Sequence, residues 1–130
     1  MRTLRGFLLA AIACAAATCG GGGGGGNPGG PSPGDNPNQM TISSGGVLSP
    51  KELILSPGSR VLFINNHSGR HNMTSDPHPD HNDCPDINQA GFLAAGQSRE
   101  TGNLVVARTC GFHDHDMPGQ ANLIGQIIIR

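Results

Sequence analysis

The sequence has no Trp and no Tyr, and only four Phe. Its core must come from Ile, Leu and Val, and a large aromatic-lined ligand pocket is excluded. Charge is scarce too: Asp, Glu, Lys and Arg make up 13% of the chain, the net charge is -1, and Lys51 is the one lysine. No basic surface exists to hold a phosphate backbone, so nucleic acid is not an expected partner. Ser68, Ser75 and Ser98 lack the context of an activated nucleophile, and no paired-carboxylate arrangement stands out, so the chain is not read as an enzyme. The glycine run at 20–26 precedes neither a Lys-Ser/Thr pair nor a helix, which removes a phosphate loop. No stretch keeps a 3.6-residue period for more than two turns, so a helical domain is excluded. With 130 residues there is room for one modest domain.

What is present is Gly (21) and Pro (10), concentrated in the first third, and histidine. Met1, Arg2 and Arg5 give a positive start and residues 6–18 carry no charge, which reads as a secretory signal over residues 1–18, too short for a membrane span. Ala16, Ala17 and Thr18 precede Cys19, and seven glycines follow. The pattern resembles bacterial lipoprotein signals and implies acylation of Cys19, with Cys14 as a competing anchor and plain cleavage and release as the alternative. Residues 19–39 have too little apolar surface to offset the entropy of ordering and read as a flexible tether. The expectation is an exported monomer, periplasmic or on the outer surface, held to the membrane by its lipid. Thiols there must be paired, ligated to metal or shielded.

Residues 40–130 form the expected folded domain. Short apolar runs at 40–43, 52–55, 60–64, 91–93, 103–107 and 125–130, separated by turn residues, predict an all-β sandwich or barrel. Residues 60–64 and 127–130 are too apolar for one-sided exposure and are placed as central strands, and 56–58 as a turn. Residues 66–90, rich in His, Asp, Asn and Pro, read as a long loop that is functional or stapled.

All six histidines (His67, His71, His78, His81, His113 and His115) fall within 67–115, together with Cys84, Cys110 and Met73, and Met117 follows two residues on. Thiolate, thioether and imidazole together suit copper. His78, His81 and Cys84, spaced two residues apart, read either as a second site for Zn or Cu(II) or as a Pro-stiffened loop whose Asp and Asn residues cap turns. His115, between Asp114 and Asp116, is either solvent-facing or a ligand, and His67 is read as a surface residue. Two cysteines in a mature exported domain also admit a Cys84–Cys110 disulfide, which removes the thiolate. Asp76, Asp80, Asp83, Asp86, Asp114 and Asp116 give this end a negative field suited to a positively charged partner.

The order of these pieces resembles the cupredoxins of the plastocyanin, pseudoazurin and amicyanin group, from residue 47 to the end. The first piece is VLSPKELIL at 47–55, Gly58, VLFINN at 61–66 and His71-Asn72-Met73. The second is LAAGQS at 93–98, then Cys110-Gly111-Phe112-His113 and the closing GQIII at 125–129. The resemblance implies a cupredoxin-like Greek-key β-sandwich or barrel. It further implies one type 1 copper held by His71, Cys110 and His113, with Met117 or His115 completing the site and Asn72 tying the ligand loops together. The function implied is a one-electron shuttle with a redox protein partner. The alternative is a redox-quiet copper carrier or buffer with a Cys84–Cys110 disulfide and a histidine-based site.

Overall fold

The apolar runs pair into two sheets that close on each other in a computed structural model, which describes residues 36–130. The signal segment, Cys14, Cys19 and the tether up to residue 35 lie outside the described residues. Nine strands follow in order: β1 (Gln39–Ile42), β2 (Leu48–Ser49), β3 (Glu52–Leu55), β4 (Leu62–Asn65), β5 (His71–Ser75), β6 (Gly91–Leu93), β7 (Ser98–Glu100), β8 (Thr109–Asp114) and β9 (Gly125–Ile129). One sheet has the order β2-β1-β4-β7, the other β3-β9-β8-β5-β6. The pairs β1–β4 and β3–β9 are parallel, the rest antiparallel. Among the described residues there is no α-helix, and the connections include short 3-10 turns at Pro85–Gln89 and Ala121–Leu123. The expected all-β sandwich is observed.

The most apolar strands sit where their composition requires. β4 lies between β1 and β7, and β9 between β3 and β8, so both have neighbours on each side. The turn at 56–58 closes with Ser59 N–H donating to the Ser56 carbonyl, and Gly58 takes φ +90°, which its missing Cβ permits. Phe63 from one sheet meets Phe112 from the other edge to face, centroids 5.2 Å apart, with Met40, Ile42, Leu48, Met73, Leu93 and Ile127 buried around them. Gly125 is required beside this pair, because a Cβ there would stand 2.5 Å from the Phe112 ring. Asn36 also belongs to the sandwich, donating to the Arg60 carbonyl and the Glu100 carboxylate.

Two expectations fail. Residues 103–107 do not form a strand: Leu104 alone turns inward, bridging to Ser59, while Val105 and Val106 are 59% and 61% exposed. Residues 66–90 are not one loop, since they contain β5 and the turn at Pro85–Gln89. β5 escapes an apolar pattern because its sequence is HNMTS, with only Met73 hydrophobic, yet all five residues are buried between β6 and β8. His71 and Ser75 find protein partners in Asp114, His67 and the 76–84 loop, whereas the Thr74 hydroxyl has none.

Candidate metal centre

β5 and β8 are antiparallel, with Met73 opposite Asp114, Thr74 opposite His113 and Ser75 opposite Phe112. Side chains alternate along a strand and directly opposed residues share a face. Cys110, Phe112, Asp114, His71 and Met73 therefore face the interior between the sheets, whereas Gly111, His113 and Thr74 face outward. The histidines divide into two groups on opposite faces.

The inner group is self-contained. His71, 1% exposed, is 2.6 Å through Nδ1 from the Asp114 carboxylate, and its Nε2 is 2.9 Å from Nδ1 of His67. The other Asp114 oxygen accepts the main-chain N–H of Asn72 and of Asp116. His67 is half-buried rather than a surface residue. Asn72 ties the neighbouring segments together through its main chain, its N–H donating to Asp114 and its carbonyl accepting from His115 N–H.

On the outer face a loop from Asp76 to Cys84 folds over β8 and brings His78 and His81 to His113. One ring or ligand atom of each lies within 4.8 Å of the others. His115 adjoins them, its Nδ1 2.7 Å from His81 Nε2 and its ring centroid 5.2 Å from that of His78. Donors around an ion with metal–nitrogen distances of about 2.0–2.1 Å stand roughly 2.8–4.2 Å apart, from adjacent square-planar to opposite positions. The donor atoms of His78, His81 and His113, all within 4.8 Å of one another, stand close to that spacing.

Two of these rings have their tautomer fixed by the protein. His113, 3% exposed, has Nδ1 2.5 Å from the Asp76 carboxylate, which leaves the Nε2 lone pair available, and that buried Nε2 has no hydrogen-bond partner. His81 Nδ1 donates to the Ser75 carbonyl at 2.8 Å, so its Nε2 also presents a lone pair. A carboxylate or carbonyl behind the imidazole is the arrangement that orients metal-ligating histidines. Thr74, directly opposite His113, likewise has an unpartnered buried hydroxyl. The His78 imidazole is held below its ordinary pKa by loss of solvation, then by repulsion from His115, His113 and His81, which favours the neutral, lone-pair-bearing form.

The local sequence explains the loop. Gly111 leaves the space in which the Asp76 carboxylate lies, since a Cβ there would collide with it, and Asp76 N–H donates to the Gly111 carbonyl. His81 adopts φ +50°, a left-handed conformation, with its N–H donating to the Pro77 carbonyl and its carbonyl accepting from Asn88 Nδ2. Arg108 pairs with Asp83, and Cys84 is bonded to Cys110 through a disulfide across a Cα–Cα distance of 5.8 Å.

That disulfide corrects the expected ligand set. Cys110 has no thiolate to give a copper ion, because its sulfur is bonded to Cys84. Strand geometry adds a second reason: β8 continues unbroken through Asp114, so residues three apart, Cys110 and His113, project from opposite faces. His71 and His113 are likewise not brought together, and the carboxylate beside His71 is Asp114. Met117 lies in the turn after β8 and is 39% exposed. A type 1 centre built on Cys110 does not fit these residues. Of the two readings of His78, His81 and Cys84, the joint site is divided, for the histidines join His113 while the cysteine is consumed in the disulfide. Sequence reasoning missed the supporting residues Asp76, Ser75 and Gly111; a glycine inside the strand TCGFHD was the available signal, since such a glycine marks a close approach by another group.

No protein-family model matches the chain, and no curated protein does. Among solved structures it is similar to the oxidised plastocyanin of Dryopteris crassirhizoma, with TM-score 0.55 and 17% identity over 71% of this chain and 99% of that one. It is similar to a purple cupredoxin from Nitrosopumilus maritimus (TM-score 0.55, 20% identity, 71% and 98% covered). It also matches a mutant of amicyanin in its Cu(I) form (TM-score 0.54, 18% identity, 71% and 80% covered). The chain therefore has the cupredoxin fold. What distinguishes it within that fold is a histidine cluster on the outer face of the sheet and a disulfide at the expected thiolate position.

Proposed function

We propose that this protein is an exported copper-binding module that holds its ion through His78, His81 and His113, with His115 as a fourth imidazole. The observation that carries the reading is the buried, partnerless Nε2 of His113, oriented by Asp76 toward the other rings. A buried polar atom left without a partner is costly unless a ligand completes it. An all-imidazole set suits Cu(II) and Zn(II), and Cu(II) stands above Zn(II) in intrinsic affinity. The role is that of a copper carrier or buffer, with binding rather than catalysis as its task. Lipid attachment at Cys19 and a monomeric state complete the proposal.

The test is titration of the purified chain, with Cys14 and Cys19 replaced by Ser so that only Cys84 and Cys110 can report as thiols, with Cu(II) and Zn(II), combined with a thiol count and an electron paramagnetic resonance spectrum. One tightly held Cu(II), nitrogen-type hyperfine structure and no reactive thiol are expected. The second reading is a one-electron shuttle, favoured by the fold shared with plastocyanin and amicyanin. It predicts two titratable thiols and an intense visible thiolate-to-copper band, and either result overturns the histidine-only site.

A further inference from the structure

The four imidazoles are not held equally. His113 is buried and tied to Asp76, and His81 is half-buried and fixed through its ring, its N–H and its carbonyl. His115 is half-buried, with its N–H on the Asn72 carbonyl and its ring on His81. His78 is exposed, and among the described residues neither its ring nor its main chain makes a hydrogen bond. Its ring rests only against its neighbours, with centroids 5.4, 5.6 and 5.2 Å from His81, His113 and His115. Pro77 and Pro79 flank it and restrict the backbone on either side, while no hydrogen bond holds the ring.

We infer that His78 is the exchange ligand of this site: the imidazole that leaves the ion so that a donor on a metal-accepting protein can take its place. The inference rests on the proposed copper site. In the step the metal–nitrogen bond to His78 breaks first, and a bond from the acceptor's imidazole, thioether or thiolate then forms at the position it leaves. The leaving imidazole keeps its lone pair, the oxidation state of the ion is unchanged, and no proton or electron has to move. His113 and His81 hold the ion meanwhile, because their second ring nitrogens are anchored to the protein. The cation is thus gripped from the sheet side and offered from the solvent side. Such an arrangement serves delivery; a storage site has no use for one loose ligand at the mouth.

The experiment uses the full chain loaded with Cu(II), with free histidine, an imidazole and amine chelator, as the acceptor probe. Transfer is followed by the visible absorption of copper in rapid mixing. For the native chain the rate rises with probe concentration and then saturates, as release of His78 becomes limiting. His78→Ala is expected to keep one Cu(II) with affinity reduced by no more than about tenfold, and to transfer it at least about tenfold faster without saturation, because a solvent molecule replaces the leaving imidazole. His113→Ala is expected to weaken binding by about a hundredfold or more. A His78→Ala protein with the native rate and native saturation overturns the inference while leaving the site intact, and so does one that loses copper as completely as His113→Ala. If neither substitution changes copper stoichiometry or affinity, the histidine site itself is wrong, which is a different result. His78→Gln, which retains a polar side chain without the imidazole, must behave like His78→Ala.

Discussion

Two groups of histidines lie on opposite faces of one sheet, and their contrast is more informative than their number. His71 and His67 on the inner face have carboxylate and imidazole partners that satisfy both nitrogens of the buried ring, so the pair is a closed structural network. His78, His81, His113 and His115 on the outer face have their rear nitrogens ordered at His113 and His81 and a forward nitrogen left unanswered at His113. Clustering in sequence cannot separate a network from a site; the inventory of satisfied nitrogens does. The disulfide stands between the two, pinning the loop of the outer group to the strand that supplies both faces.

The largest effect that would break this contrast is in the inner group. His71→Ala leaves Asp114, which is fully buried, without its imidazole, and removal of one member of a buried pair costs about 3–5 kcal/mol. Urea unfolding of the apo chain measures the loss, and His71→Ala with Asp114→Ala should recover part of it by removing the orphaned carboxyl. Copper stoichiometry should not change. If His71→Ala stays folded and loses copper, the inner pair is a metal site and the division between faces is false.

The next effect concerns the link between the groups. Cys84 and Cys110 are 26 residues apart, and closing a loop of that size stabilises the folded state by about 3.5 kcal/mol in the chain-entropy description. The double substitution Cys84→Ala and Cys110→Ala should lower stability by roughly that amount. It should still bind one Cu(II), with a spectrum matching the native one, because both sulfurs are outside the ligand set. A change in the spectrum with the fold preserved would return Cys110 to the site.

Much of the fold was legible because its central strands carry their burial in their composition: 60–64 and 127–130 are dominated by Val, Leu, Phe and Ile. β5 and β8 were not legible in the same way. HNMTS and TCGFHD are covered by a loop on one face, while on the other Met73, Cys110 and Phe112 join the core and His71 pairs with Asp114, a mixture that hydrophobic alternation does not reveal. Val105 and Val106 produced the opposite error, being apolar and exposed. For the site, the histidine cluster could be read from position alone, but its grouping could not. Cys110 and His113 can reach one metal ion if the segment is a loop and are separated by the sheet if it is a strand, and only the continuation of pairing through Asp114 decides between them.

The smallest predicted effect sharpens the comparison most, because it changes no ligand. Asp76 acts on the ion only through His113: it holds the Nδ1 proton and aims Nε2 toward the other rings, which makes it a positioning residue. Asp76→Asn keeps an oxygen able to accept that proton but removes the charge that raises the basicity of the ring. Since the Asp76 side chain is 43% exposed, little stability should be lost. Copper affinity measured by competition should fall by about tenfold, the lower end for groups that orient a ligand. Gly111→Ala should reach the same result by another route, because its Cβ occupies the place of the Asp76 carboxylate and pushes it off His113 without altering any charge. If both substitutions weaken copper equally and the pair together no more than either alone, a single contact is being broken. Independent, additive losses would mean that Gly111 acts on the strand rather than through Asp76, and the outer group would then owe its order to the fold alone.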